Sequence, residues 1–302
     1  MVWLTDHVPV EFIAFPSSSA EDEPRHVGKR SSRSNLARET VAICDAGCYT
    51  APSGSEIQIG PATREAVAGT KCYSLDTAME FFDHTPPSPT KLEVTGETTI
   101  AALKRLYSTQ GGHLACLNFA SARNPGGGFL GGSEAQEESL ARSSALFPCL
   151  LAAPEYYERN RACRTALYLD LAIWSPAVPF FRDDSGSLLD EPFRASVITA
   201  PAPNAGAVAS NERARVDEII PTLRRRAAFV LAIAAERGVR RLVLGAWGCG
   251  VFRNAPRVVA RVFGELLCAP GKFAGVFDEV VFAIYDRSSD QAVVRIFKEA
   301  LV

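Results

Sequence analysis

The sequence predicts a three-layer α/β/α fold with a mixed, mostly parallel central sheet. Beyond residue 98, apolar segments of strand length alternate with longer segments of helical length, a chain order typical of sheets that are covered by helices. The apolar segments present no polar face, as expected for strands that are buried on both sides. Glycine-rich loops follow two of these strands, at the strand end where such sheets bind ligands.

The predicted elements follow in chain order. A helix starts near residue 35 and ends before Gly47, and further helices are predicted at residues 98–107, 133–147, within 211–237 and at 254–267. Strands are predicted at residues 114–120, 166–175, 195–200, 241–246 and 276–285. Residues 83–89 contain three prolines and therefore predict a loop.

The chain divides into an N-terminal extension, residues 1–33, and one globular domain, residues 34–302. Residues 17–33 are rich in Ser, Glu and Arg and have few apolar side chains, so the extension is predicted to be partly mobile. Residues 1–16 lack the basic start of a secretory signal, and no run of 18 apolar residues predicts a membrane span.

Charge and cysteine content exclude several classes of protein. The net charge of −2 argues against direct binding of duplex nucleic acid, which needs a basic face. We interpret the basic clusters at residues 29–33 and 224–226 as a solvated tail and a solvated helix face. The eight cysteines have no zinc-finger spacing. They predict free thiols in an intracellular protein without structural zinc.

The first glycine-rich loop leads to a pair of acidic residues. The strand ends at Asn118, and Gly126, Gly127 and Gly128 follow, then Gln136, Glu137 and Glu138 after a spacer of seven residues. Glycines let a backbone approach a ligand and point its N–H groups at it. Two alternatives are a flexible surface loop and exposed acids that complement a helix dipole. Ser133 and Gln136 match a capping box, which predicts a helix start at Ser133.

Adjacent helical residues point about 100° apart, so Glu137 and Glu138 do not face each other across one bond. We expect a division of labour in which one carboxyl protonates a departing oxygen and the other orients a sugar. A general acid needs a raised pKa near neutral pH. A helix N-terminus opposes that shift, whereas burial and an anionic ligand favour it.

The second glycine-rich loop has the features of an anion site. Gly248 and Gly250 permit a tight turn, and Asn254 is predicted to cap the next helix. Backbone N–H groups before a helix suit a diphosphate. Phe252 either stacks on the ligand or packs in the core. Cys249 is interpreted as a structural thiol, because neither loop contains a histidine to activate it.

These residues together resemble poly(ADP-ribose) glycohydrolases of the microbial type, which have the macrodomain fold. The resemblance rests on a triple glycine that is followed after seven residues by Gln136-Glu137-Glu138, and on the loop 245–254. Residues 38–40, 175–183 and 200–204 also resemble the microbial branch, and the resemblance spans residues 34–302. Ser121 stands where many macrodomains have a second asparagine, as in that branch.

The resemblance implies hydrolysis of the ribose–ribose O-glycosidic bonds of poly(ADP-ribose), with release of ADP-ribose. Glu138 would protonate the leaving ribose hydroxyl and then help activate water, and Glu137 would hold ribose hydroxyls. Neither a metal nor a cofactor is implied. The residues implied to bind substrate are Asn118, Gly126, Gly127, Gly128, Gln136, Gly248, Cys249, Gly250, Val251, Phe252 and Asn254.

The implied partners are poly(ADP-ribose), ADP-ribose and ADP-ribosylated proteins, with no membrane and no duplex nucleic acid. We expect a monomer that reverses ADP-ribosylation, as in the DNA damage response. A non-catalytic ADP-ribose reader of the same fold is the first alternative, although it would not need adjacent glutamates. A mono-ADP-ribosyl-protein hydrolase is the second.

Overall fold

The protein is described here by a computed structural model that covers residues 23–75, 89–109 and 111–301, with side chains from residue 28 onward. The predicted loop at residues 83–89 lies outside these residues except for Pro89. The other predicted elements fall inside them and are compared below.

The described residues form nine strands and ten α-helices. The strands are β1 Cys48–Thr50, β2 Glu56–Gln58, β3 Lys71–Ser74, β4 Lys91–Thr95, β5 His113–Phe119, β6 Leu171–Arg182, β7 Leu188–Ala200, β8 Val239–Leu244 and β9 Glu279–Ala283. The helices are α1 Glu23–Ala46, α2 Gly60–Ala68, α3 Thr99–Ser108, α4 Gln136–Ser143, α5 Leu146–Leu151, α6 Pro154–Ala162, α7 Ala205–Asn211, α8 Ile219–Glu236, α9 Pro256–Leu267 and α10 Ala292–Leu301. None of the described helices combines the length and apolar character that crossing a bilayer requires.

Seven strands form the central sheet in the order β3-β6-β7-β5-β8-β9-β4. The β7, β5, β8, β9 and β4 strands pair in parallel, and β3 and β6 add an antiparallel edge. The prediction of a mixed, mostly parallel sheet is therefore confirmed. A second, two-stranded sheet consists of β1 and β2.

Alternate side chains of each central strand enter different cores. On β5, Ala115 and Leu117 belong to the core under α8, α9 and α10, whereas Leu114 and Cys116 belong to the core under α3, α5 and α6. This alternation follows from the two-residue period of a strand. Because both faces are covered, the three-layer architecture is as predicted.

Several predicted elements have other bounds in the structure; the strand predicted at residues 166–175, for example, is β6 at Leu171–Arg182. The helix predicted at residues 133–147 is divided into α4 and α5, because Ser144 is extended and bridges to Phe180 of β6. In the predicted helix within 211–237, the α-helical part begins only at Ile219, after a 3-10 turn at Arg213–Glu218. Pro221 suits that first α-helical turn, where its missing N–H has no intrahelical acceptor.

The first helix extends into the predicted N-terminal extension. α1 begins at Glu23, and its Ala37 packs on Phe129 and Ala141. The side chains of Arg30 and Arg33 donate to the carbonyl oxygens of Gly131 and Gly132 at 2.9 and 2.8 Å. Residues 28–33 of the predicted extension therefore contact the globular domain, and the partial mobility of residues 1–33 stays a prediction.

Candidate active site

The two glycine-rich loops meet at one edge of the sheet. Strands β5 and β8 are parallel neighbours, with Cys116 opposite Val243, so the loops that follow them leave on the same side. A Cβ on Gly245, directly after β8, would lie 2.9 Å from Cζ of Phe119, the last residue of β5. The points where the two loops begin are therefore in contact, which agrees with the prediction that the loops converge from the ends of two strands.

The triple glycine holds both glutamate side chains. Gly126 and Gly127 have φ values of +67° and +61°, a region that side-chain-bearing residues rarely adopt. A Cβ on Gly127 would lie 2.5 Å from Oε1 of Glu138 and 3.1 Å from Oε2 of Glu137. Only glycine fits there without displacing a carboxyl, so the loop and the two acids form one unit.

Glu137 is buried at the start of α4, where 3% of the residue is exposed. Its Oε2 accepts from the backbone N–H of Ser121 at 2.6 Å, and its Oε1 accepts from Nδ2 of Asn118 at 3.4 Å. Burial raises the pKa of this carboxyl to about 8, although the Ser121 N–H favours the ionised form. Asn118 is fully buried and also donates to Thr199.

Glu138 lies one residue further and is 9% exposed. Its Oε1 accepts from the backbone N–H of Gly128 at 3.0 Å. Among the described residues, no hydrogen-bond donor contacts its Oε2. Because both carboxyls are buried against the glycine loop, the interpretation as exposed acids that complement a helix dipole is wrong.

The helix that carries both acids starts later than predicted. Ala135 is the N-cap of α4, with no capping side chain, so the predicted capping box at Ser133 is wrong. The spacer folds instead into a 3-10 turn, Phe129–Gly131, closed by Gly132 at φ +76°. A Cβ on Gly128 would lie 2.5 Å from Oγ of Ser133, so this serine packs on the loop.

Gln136 connects α4 to the central sheet. Its Oε1 accepts from the N–H of Phe119 at 2.8 Å, and its Nε2 donates to the carbonyl of Leu117 at 2.8 Å and to Oγ1 of Thr99 at 3.2 Å. The side chain thus continues the hydrogen bonding of β5 beyond the strand. These hydrogen bonds fix the start of α4 on the sheet, next to the two glutamates.

The second loop is braced by Asn254. Its Nδ2 donates to the carbonyls of Pro203 at 2.8 Å and Gly248 at 3.1 Å. Ala255 is the N-cap of α9, so the predicted cap at Asn254 is wrong and its side chain holds the turn instead. Gly248 has φ +71°, and a Cβ there would lie 2.5 Å from Cβ of Ala202.

Three N–H groups of this loop are available to a ligand. Within the described ranges, the N–H groups of Gly250, Val251 and Phe252 donate to no protein acceptor, and Val251 is 83% exposed. Phe252 is half-buried, and its ring centroid lies 5.9 Å from that of Tyr168. Phe252 therefore packs partly in the core and also lies partly exposed at the rim of the loop.

The Cys249 thiol has the features of a structural residue. All eight cysteines are free, and burial raises the pKa of the Cys249 thiol. Its Sγ contacts the carbonyl of Trp247, which supports a structural role. The described part of the chain has no cluster of three His, Cys, Asp or Glu side chains suited to a metal ion.

One residue near this site, Arg142, is not predicted from the sequence. Arg142 is 6% exposed, and its Nη1 donates to the carbonyl of Ser133 at 2.6 Å. Burial lowers the pKa of this guanidinium, and the nearby Glu138 carboxylate acts in the opposite direction. The sequence feature that could have indicated Arg142 is its position four residues after Glu138, on the same face of a helix.

Comparisons with known proteins agree with this geometry. The catalytic domain of microbial-type PARG matches residues 37–183. The solved poly(ADP-ribose) glycohydrolase of Thermomonospora curvata is 48% identical over 90% of this chain and 100% of its own, with a TM-score of 0.86. The chain belongs to the microbial-type poly(ADP-ribose) glycohydrolases.

Two ligand complexes are also similar to this glycohydrolase. The T. curvata protein bound to the inhibitor ADP-HPD is 48% identical over 89% of this chain and 99% of its own, with a TM-score of 0.84. The Deinococcus radiodurans glycohydrolase in complex with ADP-ribose is 46% identical over 80% of this chain and 97% of its own, with a TM-score of 0.75. No curated protein matches the chain significantly.

The glycohydrolase therefore has the predicted fold and enzyme class. It hydrolyses poly(ADP-ribose), and its relative from D. radiodurans is solved in complex with ADP-ribose. The comparisons do not favour the alternative of a non-catalytic reader, and the buried pair Glu137 and Glu138 agrees with an enzyme.

Proposed function

We propose that Glu138 is the general acid for cleavage of the ribose–ribose O-glycosidic bond and that Glu137 orients the scissile ribose. The observation that carries this proposal is the contact of both carboxyls with Gly127. A ribose that lies over this glycine has both acids within reach. Glu138 then acts on the glycosidic oxygen, and Glu137 binds the sugar hydroxyls.

The two oxygens of Glu138 differ in a way that suits proton transfer. Oε1 is held by the Gly128 N–H, which fixes the orientation of the carboxyl. Within the described residues Oε2 has no hydrogen-bond partner, so it is free to carry the proton toward the leaving oxygen. After transfer, the same atom accepts a proton from the attacking water.

Glu137 is better suited to binding than to proton transfer. Both of its oxygens are hydrogen-bonded by the protein, to Ser121 and Asn118, and its raised pKa of about 8 keeps it largely protonated at neutral pH. A protonated carboxyl both donates to and accepts from ribose hydroxyls. It also adds no second negative charge beside Glu138.

The second loop is proposed to bind the diphosphate of the ADP-ribose unit. The free N–H groups of Gly250, Val251 and Phe252 support this, because such groups before a helix attract anions. Gly248, Cys249 and Asn254 shape the turn. Phe252 is proposed to pack on the adjoining ribose, since its ring lies half-exposed at the rim.

The first loop completes the proposed site. Gly126, Gly127 and Gly128 wall the ribose, and Asn118 and Gln136 act below the ligand by fixing Glu137 and the start of α4. We also propose a catalytic domain that includes residues 34–302 together with the part of α1 at residues 28–33, because Arg30 and Arg33 contact the first loop.

The direct test is the substitution Glu138→Gln, which preserves the size of the side chain. We expect release of ADP-ribose from polymer to fall about 10²–10⁴-fold, with ADP-ribose binding by calorimetry retained. Glu158→Gln, on the exposed face of α6, is the matched control. Unchanged turnover in Glu138→Gln would exclude it as the acid. The predictions of a monomer and of ADP-ribosylated proteins as partners stay predictions.

A further inference from the structure

A groove lined by basic residues lies beside the first loop. Its volume is about 310 Å³, and its lining residues are Arg30, Ser31, Ser34, Arg38 and Gly131. We call it the basic groove. Four of these residues belong to α1, and Gly131 belongs to the 3-10 turn that follows the triple glycine.

The basic groove is connected to the catalytic acid through two hydrogen bonds. The N–H of Gly131 donates to the carbonyl of Gly128 at 3.0 Å, and the N–H of Gly128 donates to Oε1 of Glu138 at 3.0 Å. The 3-10 helix rises about 2 Å per residue, so the groove begins roughly 6 Å from the backbone that holds the acid.

Positive charge in the groove is not neutralised. Arg33 pairs with Glu134 at 3.1 Å, but Arg30 and Arg38 have no carboxylate within 4 Å among residues 28–75, 89–109 and 111–301. Within the described part of the chain, the hydrogen bonds of the Arg38 side chain go only to the side chains of Asn35 and Ser34. In a chain with a net charge of −2, two such arginines form a local site for an anion.

The chemistry of the substrate identifies that anion. In poly(ADP-ribose) the departing unit carries the scissile oxygen on its adenosine ribose, and the next diphosphate is joined to the same ribose. The second loop is proposed above to bind the terminal diphosphate, so the departing unit needs a separate place beside Glu138. The turn and α1 adjoin Glu138 through Gly128, and the departing unit is placed there.

We propose that the basic groove binds the diphosphate of the departing ADP-ribose unit, with Arg38 and Arg30 as the charged contacts. This inference rests on the proposed function of Glu138 as the acid. It also gives the helix α1 a function, because the helix supplies the groove and seats it on the turn through Ser34, which donates to Leu130 at 2.7 Å.

The test is the substitution Arg38→Gln, because Arg38 makes no contact with the catalytic loop that would be lost. We expect kcat/KM on poly(ADP-ribose) of defined length to fall about threefold to tenfold at low salt. The slope of log kcat/KM against log salt should become shallower by about 0.7. Arg38→Lys should keep most of the activity, and Arg261→Gln, an exposed arginine on α9, is the control.

Two further measurements make the test specific. ADP-ribose binding by calorimetry and hydrolysis of an aryl ADP-ribose, which has no departing diphosphate, should be unchanged in Arg38→Gln. The proposal is overturned if Arg38→Gln affects the polymer no more than Arg261→Gln does, or if it affects the aryl substrate equally. Failure of the acid assignment has a different signature, since Glu138→Gln would then lose no more activity on the polymer than on the aryl substrate.

Discussion

The backbone N–H of Ser121 donates to Oε2 of Glu137 at 2.6 Å, which ties the segment after β5 to the first turn of α4. The contact is short for an N–H···O bond, and this donor favours the ionised form of the carboxyl. Burial acts in the opposite direction and raises the pKa of the carboxyl to about 8. The pH dependence of stability follows from the balance between burial and this hydrogen bond.

The first prediction concerns stability against pH. Since the pKa of Glu137 is about 8 in the folded protein, against an ordinary glutamate value of 4.5, the folded state holds a proton that the unfolded state releases. Unfolding free energy should therefore decrease between about pH 4.5 and pH 8, by at most about 5 kcal/mol from this group.

The variant Glu137→Gln removes this titration. Chemical denaturation at pH 5 and pH 8 should show that its stability relative to the natural protein increases with pH. Glu158→Gln, on the exposed face of α6, should show no such trend. An equal pH dependence in the natural protein and in Glu137→Gln would contradict the burial of a protonated Glu137.

The second prediction concerns Gly127. A Cβ there meets Oε1 of Glu138 at 2.5 Å, so Gly127→Ala should displace the acid and reduce kcat by at least about 10²-fold. Gly238→Ala is the matched control, because Gly238 has a similar φ of +67° and nothing within 4 Å of its Cβ position. Both variants should lose about 1–2 kcal/mol of stability from backbone strain, but only the first should lose turnover.

The third prediction concerns the brace in the second loop. Asn254→Ala leaves the buried carbonyls of Pro203 and Gly248 without the donor they have now. The loop should then loosen, and the Kd for ADP-ribose measured by calorimetry should rise about tenfold, as expected for about 1–3 kcal/mol of lost hydrogen bonding. Asn211→Ala, at the exposed end of α7, should bind normally. Unchanged affinity in Asn254→Ala would show that the loop keeps its shape without this side chain.

The fourth prediction concerns Arg142. Replacing it by Met keeps the apolar bulk but removes the donor to Ser133 and the buried charge near Glu138. We expect a loss of about 1–3 kcal/mol in thermal or chemical denaturation and a lower kcat. Arg142→Lys should recover part of kcat if the charge matters. A lysine variant that is no better than the methionine variant would assign Arg142 to packing alone.

The sequence predicts the sheet and the loops because their signals are local. The buried strand β5 has an apolar run, and the triple glycine has a conformation that few residues adopt. Local signals also predict the pair Glu137 and Glu138 at a helix start. Their burial is not visible locally, because it depends on the glycine loop folding back onto α4.

The missed features depend on contacts distant in the chain. α1 is helical at residues 28–33 because it packs on the turn near Gly131, about a hundred residues later. Ser144 interrupts a periodic helix because β6 offers a bridge partner at Phe180. Asn254 matches a cap by sequence, but its amide donates instead to the carbonyl of Gly248 in its own loop and to that of Pro203, which is distant in the chain.

Glu138 is proposed to donate the proton to the leaving oxygen. The most direct measurement compares Glu138→Gln with the natural protein on two substrates, poly(ADP-ribose) and an aryl ADP-ribose whose leaving group needs no protonation. We predict a loss of about 10²–10⁴-fold on the polymer and a loss at least tenfold smaller on the aryl substrate. Equal losses on both substrates would contradict the assignment of Glu138 as the acid.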